Sequence, residues 1–152
     1  MDKTELIPHF DEQLFIPALQ ARSKDSILDE MVGCFVESGF VRNQAIVLEM
    51  VRRREQLGST GIGHGIAIPH GRTTATPELK IAYGYSKRGI AWDAIDKKPV
   101  QMIFMVLAPP QEENNRYLPV LGRLVEILSN ADEREKLKEI NDFTEFINIL
   151  KG

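Results

Sequence analysis

The sequence predicts a single α/β domain built on a mixed β-sheet that is flanked by helices on both faces. The chain has 152 residues, the length of one ordinary domain, and no long linker or internal repeat divides it. The segment VQMIFMVLA, residues 100–108, has eight apolar residues in nine, which is typical of a strand covered on both sides. Segments of helical periodicity precede and follow the strand-like segments, and this alternation indicates a layered α/β architecture.

The first third of the chain predicts one strand and two helices. Residues 14–19 (LFIPAL) form the strand, in which Pro17 indicates an edge position. Apolar residues at helical spacing predict a helix over residues 23–38, and a second helix follows over 43–57. Each helix has a residue that can cap its start and a glycine directly after its end. Cys34 falls on or near the apolar face of the first helix, where we expect it to pack in the core.

The remainder of the chain predicts two further strands and three helices. The strands cover residues 80–88 and 100–108 and are joined by a turn. An amphipathic helix is expected over residues 114–129, and shorter helices over 132–139 and 142–150. The apolar side of the amphipathic helix comprises Leu118, Leu121, Leu124, Val125 and Leu128.

Composition excludes several classes of function. Apolar residues make up 43% and charged residues 27%, as in an ordinary globular protein, and the net charge of −3 gives no general attraction to nucleic acid. The longest apolar segment, residues 99–110, is far shorter than the ~20 residues that span a bilayer, and the acidic N-terminus lacks a signal-peptide pattern. One cysteine suits a reducing compartment. We therefore expect a cytoplasmic protein without membrane insertion or nucleic-acid binding.

The segment GSTGIGHGIAIPHGRT, residues 58–73, holds five glycines and two histidines. It fails the Walker A pattern, because His64 and Gly65 stand where a lysine and a hydroxyl residue are required. It also fails the Rossmann fingerprint, since Ile66 occupies the position of the last glycine. Binding of a nucleotide cofactor by either motif is therefore not expected.

The two histidines of this segment do not predict a metal site. His64 and His70 are six residues apart, which in an extended chain corresponds to roughly 20 Å. Two ligands of one zinc ion must lie much closer together, and no cluster of further ligands is near them in the sequence. The sequence thus predicts neither a metal nor another cofactor.

His70 has the sequence context of a nucleophile that carries phosphate. A neutral imidazole offers a lone pair when its other nitrogen holds the proton. Pro69 fixes the backbone before it, and Gly71 leaves room after it for a partner. Backbone amides over residues 61–65 and at Gly71 can face an anion. The same residues also fit a plain structural interpretation, in which His70 is a turn residue and the preceding apolar run a buried strand.

Two longer stretches resemble a known family. REQLGSTGIGHGIAIPHGR (54–72) and WDAIDKKPVQMIFMVLAPP (92–110) resemble enzyme IIA domains of the bacterial phosphoenolpyruvate-dependent phosphotransferase system, in the fructose/mannitol class that includes the nitrogen-regulatory enzyme IIA. The resemblance implies one enzyme IIA domain over residues 1–152. It also implies that His70 accepts a phosphoryl group on Nε2 from the histidine phosphocarrier protein (HPr). The group then passes to an enzyme IIB or signals to a regulatory protein.

The resemblance also assigns residues around His70. Arg54 matches the family's arginine and would hold the phosphoryl group through paired hydrogen bonds, as a guanidinium can. Further phosphate-binding candidates lie in the glycine-rich segment: Ser59, Thr60, Gly61, His64 and Gly71.

One position departs from the family pattern. Members commonly carry a second histidine at the start of the later helix, where this chain has Tyr117. A tyrosine hydroxyl donates a hydrogen bond but carries no positive charge, so His64 or Arg116 is expected to compensate. The stretch AIDKKPV favours the nitrogen-regulatory branch. A sugar-specific enzyme IIA and a non-phosphorylated interaction domain remain alternatives.

Overall fold

The structure is a computed structural model that describes residues 3–112 and 114–151. Within these ranges the strands are β1 (Phe10–Ile16), β2 (Gly61–Gly63), β3 (Ile66–Ala67), β4 (His70–Arg72), β5 (Lys80–Ile90) and β6 (Val100–Ala108). The helices are α1 (Lys24–Glu37), α2 (Gln44–Leu57), α3 (Tyr117–Leu128), α4 (Ala131–Lys138) and α5 (Phe143–Lys151). Two short 3-10 helices, Lys3–Glu5 and Ile7–His9, precede β1.

The described strands form one mixed sheet in the order β1-β5-β6-β3-β2, with β4 also paired to β6. Strands β5 and β6 are antiparallel, whereas β3 and β4 both run parallel to β6. Ile66 pairs with Met102 and His70 with Val106, so β3 and β4 keep the same register. They therefore act as one strand that is interrupted by Pro69, which lacks an N–H group. The carbonyl of Pro69 still accepts a hydrogen bond from the Val106 N–H at 2.9 Å.

Helices cover both faces of this sheet, as the sequence predicts. Helices α1 and α2 pack on one face, and α3, α4 and α5 pack on the other. A hydrophobic core lies on each face of the sheet. Alternate residues of β6 pack into one core or the other, because successive side chains of a strand point to opposite faces. Met102, Phe104 and Val106 face α3–α5, while Ile103, Met105 and Leu107 face α1 and α2. The fold class, a single domain with helices on both faces of a mixed sheet, is confirmed.

The first two helices begin and end where local signals place them. The side chain of Ser23 accepts a hydrogen bond from the Ser26 N–H and caps α1, and Asn43 caps α2 in the same way. Gly39 follows α1 with a φ of 80°, a conformation that glycine adopts without strain. The predicted first strand is wrong in its bounds, since β1 ends before Pro17. Its edge position in the sheet is confirmed.

The predicted apolar face of α3 is partly wrong. Leu118 is 67% exposed and Val125 is 44% exposed. The helix begins at Tyr117, and its buried face is rotated toward residues spaced three and four apart: Tyr117, Val120, Leu124, Ile127 and Leu128. Cys34 lies at the margin of its core, where its thiol donates a hydrogen bond to the Gln13 carbonyl at 3.1 Å. In the part of the chain that the structure describes, no helix has the length and apolarity to cross a membrane.

Candidate functional site

His70 is the first residue of β4, and its side chain is half-buried. Its Nδ1 atom lies 2.7 Å from the carbonyl oxygen of Ile68. Because a carbonyl oxygen only accepts hydrogen bonds, Nδ1 holds the proton, and Nε2 of the neutral ring keeps its lone pair. Burial lowers the pKa of His70 below its ordinary value of 6.5, and the charge of Arg54 acts in the same direction. The Ile68 carbonyl and Glu55 oppose this shift without reversing it.

Arg54 lies in the last turn of α2, with its charge close enough to affect His70. Its Nη1 donates a hydrogen bond to the carbonyl of Gly58 at 2.9 Å. This contact ties the guanidinium to the end of the helix, where a positive charge also interacts favourably with the helix dipole. The charge of Arg54 thus acts on His70, the residue with which the sequence groups it.

Glu55, next to Arg54, connects α2 to the turn that follows it. Its carboxylate accepts hydrogen bonds from the N–H of Thr60 at 3.0 Å and from the Thr60 hydroxyl at 2.5 Å. Lys24 of α1 also donates to it at 2.8 Å. Burial alone would raise the pKa of Glu55, but the hydrogen bonds from Lys24 and Thr60 hold it below its ordinary value. The predicted phosphate donors of Thr60 are therefore bound to Glu55.

Ser59 and Gly61 are likewise engaged within the turn. The Gly61 N–H donates to the Ser59 hydroxyl oxygen at 3.1 Å, and that hydroxyl donates to the Trp92 carbonyl at 3.4 Å. A Cβ atom at Gly61 would lie 2.6 Å from the Cβ of Ala94. The glycine is therefore required for the close approach of the segment around Ala94, and the structure uses these donors to shape the turn.

Gly71 fits a packing role. A Cβ atom at this position would overlap the sulfur of Met50 on α2. Met50 therefore fills the space over Gly71 on the face of β4 that packs against α2. Gly71 lets α2 approach β4, which brings Arg54 on that helix toward His70.

Tyr117 lies on the other side of His70, at the first residue of α3. The two ring centroids are 6.2 Å apart, and only 7% of Tyr117 is exposed. The guanidinium carbon of Arg72 lies 4.1 Å from the centroid of the Tyr117 ring, in a cation–π arrangement. The position of Tyr117 beside His70 follows the prediction, whereas Arg72 and Glu55 were missed. Arg72 was detectable, because residues i and i+2 of a strand share one face.

His64 lies away from this cluster, so the structure does not bring it together with His70. It occupies the turn between β2 and β3 with a φ of 57°, and its N–H donates to Asp96 at 3.0 Å. Ile66 is the first residue after this turn. Four residues of extended chain separate it from His70, which corresponds to roughly 13 Å. The recess beside His64 is lined by four cationic side chains: Arg88, Lys98, Arg134 and Lys138.

Arg116, the other residue expected to compensate for the missing histidine, lies 3.8 Å from the carboxylate of Glu5. Among residues 3–112 and 114–151, no three histidine, cysteine or acidic side chains are grouped as metal ligands. The neutral imidazole of His70 is therefore influenced by the charge of Arg54 and lies beside the Tyr117 ring, against which Arg72 packs. Cationic groups around a nucleophilic nitrogen suit an anionic electrophile such as a phosphoryl group.

Comparison with known proteins identifies relatives of this chain. The family model for the phosphoenolpyruvate-dependent sugar phosphotransferase system, EIIA 2, matches residues 8–152. A fructose-specific EIIABC component of the phosphotransferase system from Bacillus subtilis is 33% identical over 99% of this chain, which spans 23% of that protein. A nitrogen regulatory protein from Bradyrhizobium diazoefficiens is 30% identical over 91% of this chain and 89% of its own length.

A solved structure shows the same fold at nearly full length. The nitrogen regulatory protein IIA-Ntr from Neisseria meningitidis superimposes with a TM-score of 0.86 at 31% identity. The match covers 94% of this chain and 97% of that one. Together these matches confirm the resemblance found in the glycine-rich segment.

Proposed function

This chain belongs to the phosphoenolpyruvate-dependent sugar phosphotransferase system EIIA 2 family, and we propose that it carries a phosphoryl group on Nε2 of His70. The observation that carries the proposal is the hydrogen bond from His70 Nδ1 to the Ile68 carbonyl. This contact fixes the proton on Nδ1 and presents Nε2 as the nucleophile.

The phosphoryl donor is phosphorylated HPr, and the reaction is an in-line transfer between two histidines. The lone pair of Nε2 forms the new N–P bond, while the electrons of the breaking P–N bond return to the donor's ring nitrogen. The Nδ1 proton stays on His70, where the Ile68 carbonyl stabilises the positive charge that the ring gains. Arg54 binds the phosphoryl oxygens, and catalysis rests on positioning and charge stabilisation.

A nitrogen-regulatory role is favoured for the phosphorylated protein. The Bradyrhizobium nitrogen regulatory protein and the Neisseria IIA-Ntr structure match this chain over almost all of their own lengths. In that role the phosphorylated and free forms differ in their contacts with a regulatory protein. The sugar-specific alternative, with transfer onward to an enzyme IIB, is favoured by the 33% identity to the fructose-specific component.

Phosphorylation is tested by incubating the protein with labelled phosphoenolpyruvate, enzyme I and HPr. We expect a label that is labile in acid and stable in base, and that His70→Ala removes. His9→Ala is a matched control, because His9 is also partly buried and its Nδ1 also faces a backbone carbonyl, that of Leu79 at 3.4 Å. A wild-type protein that takes up no label, or a label that survives in His70→Ala, would refute the proposal.

The labelled protein is then used to decide between the nitrogen-regulatory and the sugar-specific role. Adding purified enzyme IIB domains of the fructose/mannitol class removes the label from a sugar-specific enzyme IIA. A nitrogen-regulatory protein keeps its label under these conditions. Complete absence of label from the wild type favours the interaction-domain alternative.

A further inference from the structure

At the position of the family's second histidine, this chain lacks a side chain that can carry a positive charge. Tyr117 occupies that position, and its hydroxyl donates a hydrogen bond without a positive charge. The two expected substitutes are engaged elsewhere, because His64 is in the β2–β3 turn and Arg116 is paired with Glu5. A phosphoryl group on Nε2 carries about two negative charges at neutral pH, so one cation from Arg54 balances only part of them.

Arg72 is the cation that the structure places against Tyr117. It is two residues after His70 in β4, and the two side chains therefore project to the same face of the strand. The guanidinium carbon lies 4.1 Å from the Tyr117 ring centroid. Its Nη1 donates to the carbonyl of Pro110, two residues after the end of β6, at 3.4 Å. These two contacts hold the exposed arginine on the face of a buried ring.

The Tyr117 hydroxyl lies within the field of both arginines. Burial raises the pKa of Tyr117, while the charges of Arg72 and Arg54 act in the opposite direction without cancelling the rise. The hydroxyl therefore keeps its proton at neutral pH and can donate it in a hydrogen bond.

We propose that Tyr117 and Arg72 act as a pair that replaces the second histidine of the family. The Tyr117 hydroxyl donates a hydrogen bond to a phosphoryl oxygen, and Arg72, stacked on the ring, positions that hydroxyl and supplies the positive charge. Neither residue gives up a proton during the transfer. The inference rests on the proposed phosphorylation of His70, and it assigns to Arg72 a positioning role at that same site.

The test measures the rate of phosphoryl uptake from phospho-HPr and the lifetime of the phosphohistidine. We expect Arg72→Gln and Tyr117→Phe each to slow uptake by about tenfold, the loss expected for one charge-assisted contact in a transition state. Arg72→Lys keeps the charge and recovers part of the rate. The double variant Arg72→Gln/Tyr117→Phe loses less than the product of the two single effects, because the residues act as a unit.

A rescue experiment separates this role from a structural one. Tyr117→His in the Arg72→Gln background restores uptake, more strongly at pH 6 than at pH 8, because an imidazolium supplies both a donor and a charge. Arg88→Gln is the matched control, since Arg88 is an exposed arginine on β5 outside this site. It is expected to match the wild type.

The outcomes distinguish a failure of the Tyr117–Arg72 inference from a failure of the proposed phosphorylation of His70. If the wild type takes up no label, the proposed function fails and the pair with it. If the wild type is labelled on His70 while Arg72→Gln equals Arg88→Gln in rate and lifetime, the pair alone is refuted. If Arg72→Gln does not fold, the uptake rates of Arg72→Lys, Tyr117→Phe and their double variant are compared instead. The inference is overturned if the loss of rate in the double variant equals the product of the two single losses.

Discussion

The Nδ1 atom of His70 and the carbonyl oxygen of Ile68 are 2.7 Å apart, across a single intervening residue. That residue is Pro69, whose ring restricts the backbone, so the orientation of the imidazole is fixed by a local segment of chain. A local hydrogen bond of this kind needs no partner protein to form. Nε2 is therefore already the ring nitrogen with the free lone pair in the free protein.

The first prediction concerns the pKa of His70. Burial and then the charge of Arg54 lower it, so Arg54→Gln is expected to raise the pKa toward the ordinary value of 6.5. Titration of the His70 ring resonances by NMR measures it, with His70→Ala used for assignment. In the proposed reaction the neutral ring takes up the phosphoryl group, so wild-type uptake should fall on acidification with a midpoint below pH 6.5. A pKa that stays unchanged or falls in Arg54→Gln contradicts this account.

A second prediction concerns Glu55, whose side chain is only 6% exposed and accepts from Lys24 and Thr60. We expect Glu55→Gln to lower the free energy of unfolding by about 1–3 kcal/mol, because buried donors lose a charged acceptor. Urea denaturation at pH 7 measures the change. Glu49→Gln is the control on the same helix, since the exposed Glu49–Arg53 pair contributes no more than about 0.5 kcal/mol.

The pH dependence of the Glu55 effect has a definite sign. Hydrogen bonds lower the pKa of Glu55 in the folded state despite its burial. Its contribution is therefore fully present above the unfolded pKa of about 4.5 and is lost as the pH falls through the lower folded value. The difference between wild type and Glu55→Gln should shrink below pH 4.5. A difference that grows on acidification would show that the carboxylate is not stabilised in the fold.

The parts of the fold that local signals determine are the parts that sequence reasoning predicts well. Helices α1 and α2 have side-chain caps at Ser23 and Asn43, and glycines follow their ends, all within a few residues of the boundary. The bounds of β1 and the buried face of α3 depend on distant packing partners. For α3, the apolar side of the helix is wider than its buried face, and only the position of the sheet decides that Leu118 faces solvent.

The candidate site shows the same division. His70, Arg54 and Tyr117 are candidates because the resemblance marks them one by one, and His70 also because of its own sequence context. The pairing of Arg72 with Tyr117 joins positions 45 residues apart, at β4 and at the start of α3, and no local pattern encodes it. His64 was grouped with His70 because both lie in one glycine-rich segment. The β2–β3 turn and the extended strand after it place them at different ends of β6.

A third prediction compares two glycines. Gly61→Ala places a methyl group 2.6 Å from the Ala94 Cβ and 2.9 Å from its Cα, so the backbone must shift. We expect a loss of about 1–3 kcal/mol in the free energy of unfolding. Gly122→Ala is the matched control, because it lies in the interior of α3 with no atom within 4 Å of the new methyl group. There alanine should stabilise by about 0.5–1 kcal/mol. Equal effects of the two substitutions in thermal or urea unfolding would contradict the described packing.

The last prediction concerns two exposed leucines that adjoin site residues. Leu57 is 86% exposed and follows Arg54 by three residues, and Leu118 is 67% exposed and follows Tyr117 directly. Because each leucine adjoins a candidate site residue in the sequence, we predict that both contact the phosphoryl donor protein when it binds. We therefore expect Leu57→Glu and Leu118→Glu to leave the free energy of unfolding almost unchanged. In steady-state transfer from phospho-HPr, each should raise KM by about tenfold with little effect on kcat, the pattern of lost docking.

Ile46→Glu provides the control for these two variants. Ile46 is 51% exposed and lies on the same helix as Leu57, eleven residues earlier and thus roughly 16 Å away along the axis. A glutamate there adds the same charge to the surface, so any general repulsion of the donor protein appears in this variant as well. If Ile46→Glu raises KM as much as Leu57→Glu and Leu118→Glu do, the effect is electrostatic and the two leucines are not docking contacts. A lowered kcat in the leucine variants, with KM unchanged, would instead place them in the transfer step.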